Sequence, residues 1–536
     1  MTRDAAAIGS GLAPARPARP IERHERIHVV GAAGAGASAA ALLAGYAGAD
    51  PSGCDPGGPS QYTPALEAAG IPLAWRHDPG HVLASPRPHR LAVTKALTAV
   101  DPGHPELEAA RRAGIALEPW HQVVADAAAG RTLIGVAGTH GKSTTSGWLV
   151  HALSAAGADP AAFVGALLPA PVTGGLPATA RRGRGPFVVE ADEYAGNFDP
   201  YRPDVIVLTS IEWDHPDVFE DVEAVSVAFE TWIRAAAHVG RQSVLVANVA
   251  DPQVAALCRR LVGDWPGRLV ATAVVDTSGQ RLDGYVRGLA EEYGAPDSPA
   301  AVLLARPLAA EPGGTTIELI GRTIVDEPRR LRLQTAGRHN VANALGVIGG
   351  AAALRMTGAV DADATTGVGA FDLDDVLDAV ATFGGVGRRL EHKGEACGVT
   401  VYDDYGHHPS AIRATIAAVR QREPGRRLWA VYEPLTFHRT AALLDDFADV
   451  LATADGVAIA DIWAGRDPDT TVASAAGLAE AVARRRPDLP VAAPGSVEAT
   501  AAWLAVETGD GDVVLVMGGG RSYRIGELLL ERLGTG

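Results

Sequence analysis

Short runs of apolar residues, each followed by a stretch of helical character, recur along the chain. Runs that are apolar on both faces are typical of strands buried in parallel sheets. Their alternation with helices predicts an α/β fold of doubly wound sheets. The runs lie at 27–30, 132–137, 187–189, 205–208, 243–246, 399–402, 428–432, 457–459 and 513–517.

The same pattern divides the chain into a leader and three α/β units. Residues 1–26 are rich in Ala, Pro and Arg without an apolar period, which predicts a flexible leader. A strand, a glycine turn and a helix follow, and this order recurs from 131, while another set of strands begins near 387. We therefore expect domains at 27–130, 131–386 and 387–536.

One segment of the middle unit departs from the alternation. Residues 301–335 are typical of a β-hairpin, with predicted strands at 315–319 and 322–325 around Gly321. A helix over 340–354 then closes the unit.

Composition and charge narrow the classes of function. A chain of 536 residues accommodates three domains with their own cores. The net charge of −16 argues against nucleic acid or an anionic membrane as the main partner. Lysine occurs only at Lys95, Lys142 and Lys393, so a lysine within a motif is informative.

The cysteine pattern and the hydropathy indicate the compartment. Cys54, Cys258 and Cys397 are far apart and odd in number, which fits neither a disulfide framework nor a thiolate metal cluster. No apolar stretch reaches the ~18 residues of a spanning helix, and the start lacks the pattern of a signal peptide. We expect a soluble, cytoplasmic protein.

A glycine-rich loop between a predicted strand and a predicted helix is the strongest chemical signal. Residues 138–145 read Gly-Thr-His-Gly-Lys-Ser-Thr-Thr. In such a loop, backbone N–H groups and the helix N-terminus bind phosphate, the lysine reaches the outer phosphates and a hydroxyl can hold Mg²⁺. The first glycine of the strict Walker spacing would fall on Val136, so this is a shortened phosphate loop or a chance match.

An acidic segment and a histidine-containing segment follow two predicted strands that are consecutive in the sequence. Glu190 comes directly after 187–189, where it could reach Mg²⁺ on a nucleotide or lie in a solvated turn. His215 follows 205–208, where it could complete a second metal site or simply be packed. Because consecutive strands usually neighbour one another, Lys142, Glu190 and His215 should share one edge of a sheet.

The first and third units carry weaker signals. The turn from Gly31 to Gly36 reads G-x-x-G-x-G, not the dinucleotide G-x-G-x-x-G. This favours the pyrophosphate of another nucleotide over a nicotinamide cofactor. Arg389 in the third unit is suited to clamping a phosphoryl group, although a lone arginine is more often a surface residue.

Taken together, these motifs resemble the Mur ligase family of ATP-dependent amide ligases in peptidoglycan precursor synthesis, from about residue 27 to 536. The resemblance implies a Rossmann-like N-terminal domain, a P-loop ATPase-like central domain and a Rossmann-like C-terminal domain. The matching segments are Gly-Thr-His-Gly-Lys-Ser-Thr-Thr (138–145), Glu-Ala-Asp-Glu-Tyr (190–194), Asp-His-Pro-Asp (214–217), Gly-Arg-His-Asn-Val-Ala-Asn-Ala (337–344), Gly-Arg-Arg-Leu-Glu (387–391), Asp-Asp-Tyr-Gly-His-His-Pro (403–409) and Val-Met-Gly-Gly-Gly (516–520).

The resemblance also implies a role for individual residues. The implied catalytic residues are Lys142, Glu190, His215, Arg389 and Asp404. Those implied in ATP binding are Gly138, Thr139, His140, Gly141, Lys142, Ser143, Thr144, His339, Asn340, Asn343 and Arg389. Mg²⁺ would be held by Ser143, Glu190 and His215, the UDP-sugar by Gly31, Gly34 and Gly36, and the amino acid by Tyr405, His407 and Arg439.

Within the family, the chain is similar to the branch that adds L-alanine to the lactyl carboxylate of UDP-N-acetylmuramate through an acyl phosphate. This implies ATP and Mg²⁺ as cofactors, those two substrates as partners, no nucleic-acid or membrane partner, and a monomer or weak homodimer. The absence of lysine between His215 and Lys393 agrees with this branch and with the murein-tripeptide recycling branch.

Two alternatives remain open. The first is a recycling ligase, whose pattern more often has Phe-Ala where this chain has Tyr405-Gly406. The second is an inactive nucleotide-binding homologue, which retention of the implied catalytic residues argues against. Ser210 replaces a family asparagine and Leu435 a family histidine, and both bear on specificity or activity.

Overall fold

The computed structural model describes residues 8–237, 243–294, 299–357, 371–465, 467 and 469–534. Three β-sheets organise this part of the chain. No helix in these residues is both long enough and apolar enough to cross a membrane.

The first domain is a five-stranded parallel sheet in the order β3-β2-β1-β4-β5. Its central strand is buried, as a strand covered on both faces requires. The elements are β1 (Arg26–Val30), α1 (Ala35–Tyr46), β2 (Asp50–Cys54), α2 (Thr63–Ala68), β3 (Leu73–Ala74), α3 (Gly80–Leu83), β4 (Arg90–Val93), α4 (Lys95–Val100), α5 (Pro105–Ala113), β5 (Ala116–Pro119) and α6 (Trp120–Ala127).

The segment before β1 packs on this domain, so the prediction of a flexible leader is wrong for residues 8–25. The Arg16 guanidinium lies 2.8 Å from a carboxylate oxygen of Glu118 and 2.7 Å from one of Asp126. Ile21 is buried in the core. The composition of this segment predicts disorder because the carboxylates that hold Arg16 lie about a hundred positions away in the sequence, so local composition does not include them. The predicted leader residues 1–7 fall outside the described part.

The middle domain contains a ten-stranded sheet in the order β15-β14-β13-β12-β11-β10-β6-β9-β7-β8. Strand β6 lies between β9 and β10, parallel to both. The elements are β6 (Leu133–Ala137), α7 (Lys142–Ala155), β7 (Ala161–Leu168), α8 (Ala170–Thr173), β8 (Ala178–Arg181), β9 (Phe187–Glu190), β10 (Val205–Leu208), α9 (Val222–Ala236), β11 (Val244–Asn248), α10 (Pro252–Leu261), β12 (Arg268–Val274), α11 (Gln280–Glu292), β13 (Ala301–Glu311), β14 (Gly314–Arg322), β15 (Arg329–Leu333), α12 (Arg338–Met356) and α13 (Leu373–Val380).

The antiparallel edge of this sheet is present, but its turn is not where the sequence pattern placed it. Residues 315–322 form one strand with Gly321 inside it, and β14 pairs with β13 and β15 on its two sides. The hairpin turn lies between β13 and β14, with Gly314 at φ 136°. A glycine within a strand was therefore mistaken for a turn.

The third domain has six strands in the order β16-β17-β21-β18-β19-β20, in which only the β16–β17 pair is antiparallel. The predicted α/β fold is thus present in all three units. The elements are β16 (Glu391–Ala396), β17 (Val399–Asp404), α14 (Pro409–Arg422), β18 (Leu428–Glu433), α15 (Phe437–Ala442), α16 (Leu444–Leu451), β19 (Gly456–Ala460), α17 (Ala475–Arg485), β20 (Val491–Gly495), α18 (Val497–Glu507), β21 (Val513–Gly518) and α19 (Tyr523–Gly534).

Candidate active site

The glycine-rich loop joins β6 to α7 and is shaped by two glycines. Gly138 and Gly141 have φ angles of 131° and 82°, a region that favours glycine. A Cβ atom at Gly141 would lie 2.5 Å from Oδ1 of Asn343. The loop therefore requires glycine both for its backbone conformation and for the close approach of α12.

Ser210 supports this loop through two hydrogen bonds. The Ser210 backbone carbonyl accepts a hydrogen bond from the Thr139 amide at 2.9 Å. Its hydroxyl accepts one from the His140 amide at 3.0 Å. Ser210 thus fixes two consecutive amides of the loop.

Lys142, the first residue of α7, points back over the loop. Its ammonium donates to the Gly138 carbonyl at 2.6 Å and to Glu193 Oε2 at 2.8 Å, and lies 3.7 Å from Asp192 Oδ1. Burial opposes the charged form, but these carboxylates raise the pKa of Lys142 above its usual range. Lys142 is therefore a fixed cation at the mouth of the loop.

Ser143 links the middle domain to the third. Its hydroxyl donates to Glu190 Oε1 at 2.8 Å and accepts from Arg389 Nη2 at 2.8 Å. The other carboxylate oxygen of Glu190 accepts from the Gly165 amide at 2.6 Å. Three of the predicted site residues, from two domains, are thus in direct contact.

His215 has different neighbours from Glu190. Its ligand nitrogen groups with carboxylate oxygens of Asp192 and Glu193, all within 4.8 Å of one another. Its ring packs edge-to-face on Tyr194 at 4.8 Å, and its backbone has a φ of 57°. The predicted metal residues therefore divide into a hydroxyl–carboxylate pair and a carboxylate–histidine group.

The two adjacent arginines of the third domain have separate environments. Arg388 is buried and pairs with Asp403 Oδ2 at 3.1 Å, while also donating to the Gly518 carbonyl. Arg389 instead faces Ser143 and lies 4.9 Å from the ring centroid of Tyr405. Only the second arginine of the pair extends toward the glycine-rich loop.

Asp404 positions this arginine through the backbone. Its two carboxylate oxygens accept from the Leu390 and Gly406 amides, each at 2.7 Å. The φ angles of Arg388 and Leu390 are 58° and 50°. The carboxylate thus stabilises a strained turn that presents Arg389.

The predicted amino-acid residues lie beside the His215 group. Arg439, only 3% exposed, donates to Asp214 Oδ1 at 2.6 Å, and its buried Nε has no hydrogen-bond partner. Although burial opposes ionisation, Arg439 holds the pKa of Asp214 well below its usual range. His407 Nδ1 contacts the Tyr405 carbonyl at 3.0 Å, and burial holds the pKa of His407 well below its usual range.

Asn340 and Asn343 project from the first turns of α12. The Asn340 amide donates to the Ala336 carbonyl at 2.7 Å, and Asn343 donates to Asn340 Oδ1 at 3.1 Å. Neighbouring His339 has a pKa lowered to about 4 by burial. These residues lie beside the glycine-rich loop and line the same cavity.

A second contact joins the middle and third domains at the other side of the loop. Ser410 donates to Glu212 Oε2 at 2.6 Å, and His408 Nδ1 lies 3.6 Å from the same oxygen. The rings of His140 and His408 are 4.9 Å apart. Burial lowers the pKa of His408 to about 4, so its ring is neutral at pH 7.

One cavity of about 790 Å³ collects nearly all of these side chains. Gly138 shapes the glycine-rich loop but does not line the cavity. The predicted residues that line it are Thr139, His140, Gly141, Lys142, Ser143, Thr144, Glu190, His215, His339, Asn340, Asn343, Arg389, Asp404, Tyr405, His407 and Arg439.

The predicted sugar-binding glycines lie apart from this cavity, in the turn between β1 and α1. The amides of Gly31, Ala32 and Gly34 donate to backbone carbonyls within the turn and the end of β2, and the Ala33 amide donates to Asp55. A Cβ atom at Gly36 would lie 2.2 Å from the Trp120 ring. Gly36 therefore serves packing, and an anion at this turn would meet the first amides of α1, before the helical hydrogen bonds begin at Ser38.

Some site residues were missed by sequence reasoning. Lys95 of the first domain donates to the carbonyls of Ala195 and Gly196 at 2.7 and 2.8 Å, in the turn that follows Glu193 and Tyr194. The rarity of lysine in the chain is the only feature of the sequence that singles out Lys95. Glu193 and Asp214 lay within matched segments, but their charge partners Lys142 and Arg439 became visible only in the fold.

Three family models match successive parts of the chain. The model described as "Mur ligase family, catalytic domain" matches residues 26–132. The model of the "Mur ligase middle domain" matches residues 136–273, and that of the "Mur ligase, glutamate ligase domain" matches residues 388–520. The UDP-N-acetylmuramate–L-alanine ligase of Kineococcus radiotolerans is 37% identical, covering 92% of each chain. That of Frankia casuarinae is 34% identical, covering 88% of this chain and 90% of the relative.

Solved structures share the fold over nearly the whole length. The UDP-N-acetylmuramate–alanine ligase of Thermotoga maritima superposes with a TM-score of 0.71 at 21% identity, covering 95% of this chain and 99% of that one. A murein peptide ligase of Psychrobacter arcticus gives a TM-score of 0.66 at 23% identity and the same coverage.

Proposed function

The chain belongs to the Mur ligase family, and from this premise we propose that it joins L-alanine to UDP-N-acetylmuramate while ATP is cleaved to ADP and phosphate. Relatives at 33–37% identity over about nine-tenths of the chain carry this activity in their names. Action in the cytoplasm as a monomer or weak homodimer belongs to the same proposal.

The observation that carries the proposal is the contact between Arg389 and Ser143. A phosphate loop from the middle domain and an arginine from the third domain meet across 2.8 Å at one cavity. A nucleotide-binding domain alone would not need this cation from another domain. A phosphoryl-transfer site does, because the transferring group spreads negative charge over its outer oxygens.

The first step follows from these residues. The lactyl carboxylate attacks the γ-phosphorus of ATP, so that an acyl phosphate forms and ADP leaves. The loop amides and the N-terminus of α7 would hold the phosphates, while Lys142 and Arg389 would offset the developing charge. For this, Lys142 would exchange its contact with Glu193 for a phosphate oxygen.

The donor sets also suit Mg²⁺. Ser143 and Glu190 offer a hydroxyl and a carboxylate oxygen, which matches the oxygen preference of this ion. Asp192 and Glu193 offer further carboxylate oxygens, beside one ring nitrogen of His215. We propose these residues as its ligands. When bound, the ion neutralises charge on the phosphate oxygens.

The second step forms the amide. The alanine amine attacks the acyl carbonyl, phosphate leaves with one former carboxylate oxygen, and the amine loses a proton. The unpartnered Arg439 Nε is suited to a substrate carboxylate. His407, with Nδ1 engaged by the Tyr405 carbonyl and Nε2 3.9 Å from Asp214 Oδ2, would orient the amine, whose proton passes to solvent.

The first domain would supply the UDP-sugar. We propose that its pyrophosphate meets the N-terminus of α1, beside Gly31, Gly34 and Gly36. Ser38 of α1 lies 3.0 Å from Thr179 of the middle domain, and Lys95 contacts the turn after Glu193. Closure of three domains around the acyl phosphate would exclude the water that hydrolyses it.

A panel of acceptors tests the function. ATP-dependent phosphate release is measured with UDP-N-acetylmuramate plus L-alanine, glycine, L-serine or the murein tripeptide in turn. Release that is fastest with L-alanine supports the proposal. Release only with the tripeptide would assign the chain to recycling, and no release with any acceptor despite ATP binding would indicate an inactive homologue.

A further inference from the structure

A cluster of metal-ligating side chains lies in the first domain, away from the cavity. His28 on β1, Cys54 at the end of β2, His81 on α3 and Glu106 on α5 place one ligand atom each within 4.8 Å of one another. None of the four lines the active-site cavity. Their residue types are those that bind Zn²⁺.

We propose that these four residues form a structural site for a divalent transition metal, with Zn²⁺ as the expected ion. The site is independent of the ligase chemistry. A closed set of four protein ligands is the arrangement of structural, not catalytic, zinc.

The interatomic distances are compatible with one shared ion. Ligands about 2.0–2.3 Å from a tetrahedral zinc ion lie roughly 3.3–3.8 Å from each other. Glu106 Oε2 is 3.1 Å from Cys54 Sγ and 3.6 Å from His28 Nε2. His81 Nδ1 is 2.7 Å from the other carboxylate oxygen, Glu106 Oε1, and the four ligand atoms all lie within 4.8 Å of one another.

An unpartnered nitrogen aims into the cluster. His28 is 3% exposed, and its Nε2 has no hydrogen-bond partner, whereas its Nδ1 lies 2.9 Å from the Ser52 hydroxyl. Metal-bound histidines usually have their second nitrogen held in this way, which fixes the ring orientation. A metal ion would give the buried Nε2 the partner that it lacks.

Charge balance also fits a dication. Binding replaces the proton of the Cys54 thiol by a metal–sulfur bond, the proton passes to solvent, and nothing is oxidised or reduced. The thiolate and the Glu106 carboxylate then offset the two positive charges. The result is a neutral group, which suits residues that are fully buried, as Cys54 and Glu106 are.

The surroundings supply a reserve ligand and a structural purpose. His77 Nδ1 lies 3.3 Å from Cys54 Sγ. The His77 ring packs edge-to-face against the His104 ring. The Cys54 carbonyl accepts from the amides of Gly31 and Ala32. The ion would therefore tie two strands and two helices together beneath the glycine turn.

Cobalt spectroscopy on the full-length protein tests the site. The purified chain is stripped with a chelator and titrated with Co²⁺. We expect a thiolate-to-cobalt charge-transfer band and intense tetrahedral d–d bands that saturate at one equivalent and are lost on adding Zn²⁺. Absence of the thiolate band at saturating cobalt would overturn the proposal, whatever any variant does.

Variants then assign the ligands. Cys54→Ser should abolish the thiolate band, whereas Cys258→Ser, at a buried cysteine of α10 in the middle domain, should leave it unchanged. Ser52→Ala should weaken cobalt binding by about 10- to 100-fold through loss of the support to His28. A band that survives Cys54→Ser, or is lost in Cys258→Ser, would contradict the assignment.

Discussion

Arg389 of the third domain donates a hydrogen bond of 2.8 Å to the hydroxyl of Ser143 in the first turn of α7. These residues are far apart in the sequence, and their contact joins the third domain to the glycine-rich loop of the middle domain. The neighbouring Arg388 pairs with Asp403 inside its own domain. Of these two adjacent arginines, Arg389 therefore lies in the candidate active site, whereas Arg388 stabilises the third domain.

This division gives a matched pair of substitutions. Arg389→Ala should lower kcat by about 10²- to 10³-fold, because a donor to the transferring phosphoryl group is lost, with little change in Tm. Arg388→Ala should instead lower stability by roughly 3–5 kcal/mol, because it leaves the buried Asp403 unpaired. Steady-state kinetics and thermal unfolding of both variants check this. Equal kinetic losses at unchanged Tm would contradict the assignment.

Lys142 permits a test of how the substrates are divided among domains. Lys142→Ala should reduce turnover by at least about 10³-fold, because the phosphates lose their fixed cation. UDP-N-acetylmuramate affinity, measured by calorimetry without ATP, should stay within a few-fold of wild type. A comparable loss of sugar binding would contradict the separation of the two sites.

The contact of His408 with the middle domain predicts a pH dependence of stability. An unfolded histidine binds a proton near pH 6.5, whereas folded His408 does so only near 4. Between these values the unfolded state binds more protons, so stability is lost as the pH falls from 6.5 toward 4. The loss from this group between pH 7 and 5 should be about 2 kcal/mol.

His408→Asn is the matched variant, because asparagine retains the capping role at the start of α14. Its Tm should fall less than that of wild type when the pH is lowered from 7 to 5. Parallel decreases of Tm in the two proteins would show that His408 does not contribute.

Local signals made much of the fold predictable, including the strand, the glycine-rich loop and the helix around residues 138–145. The strand before Gly138, the helix after Lys142 and the rarity of lysine are all properties of a short segment. Burial of parallel strands likewise appears in continuous apolar runs. Lys142, Glu190 and His215 follow β6, β9 and β10, and the order β9-β6-β10 of these parallel strands puts their carboxyl ends at one edge, as predicted. The predicted reason holds only in part, because β9 and β10 follow one another in the sequence but are separated by β6.

Relationships over long sequence separations were not predictable in the same way. The composition around Arg16 could not reveal its ion pairs with Glu118 and Asp126. Gly321 looked like a turn because its strand partners were unknown. Arg388 and Arg389 lie in a turn with positive φ angles at 388 and 390 and have different partners, Asp403 and Ser143, which no motif records.

In the proposed reaction, the carboxylate of UDP-N-acetylmuramate is activated as an acyl phosphate before alanine attacks. UDP-N-acetylmuramate labelled with ¹⁸O in its lactyl carboxylate tests this most directly, by mass spectrometry of the phosphate released with ATP and L-alanine in unlabelled water. We predict one ¹⁸O atom in each phosphate and one in the amide product. Phosphate without ¹⁸O would mean that water attacks ATP, and would contradict the account.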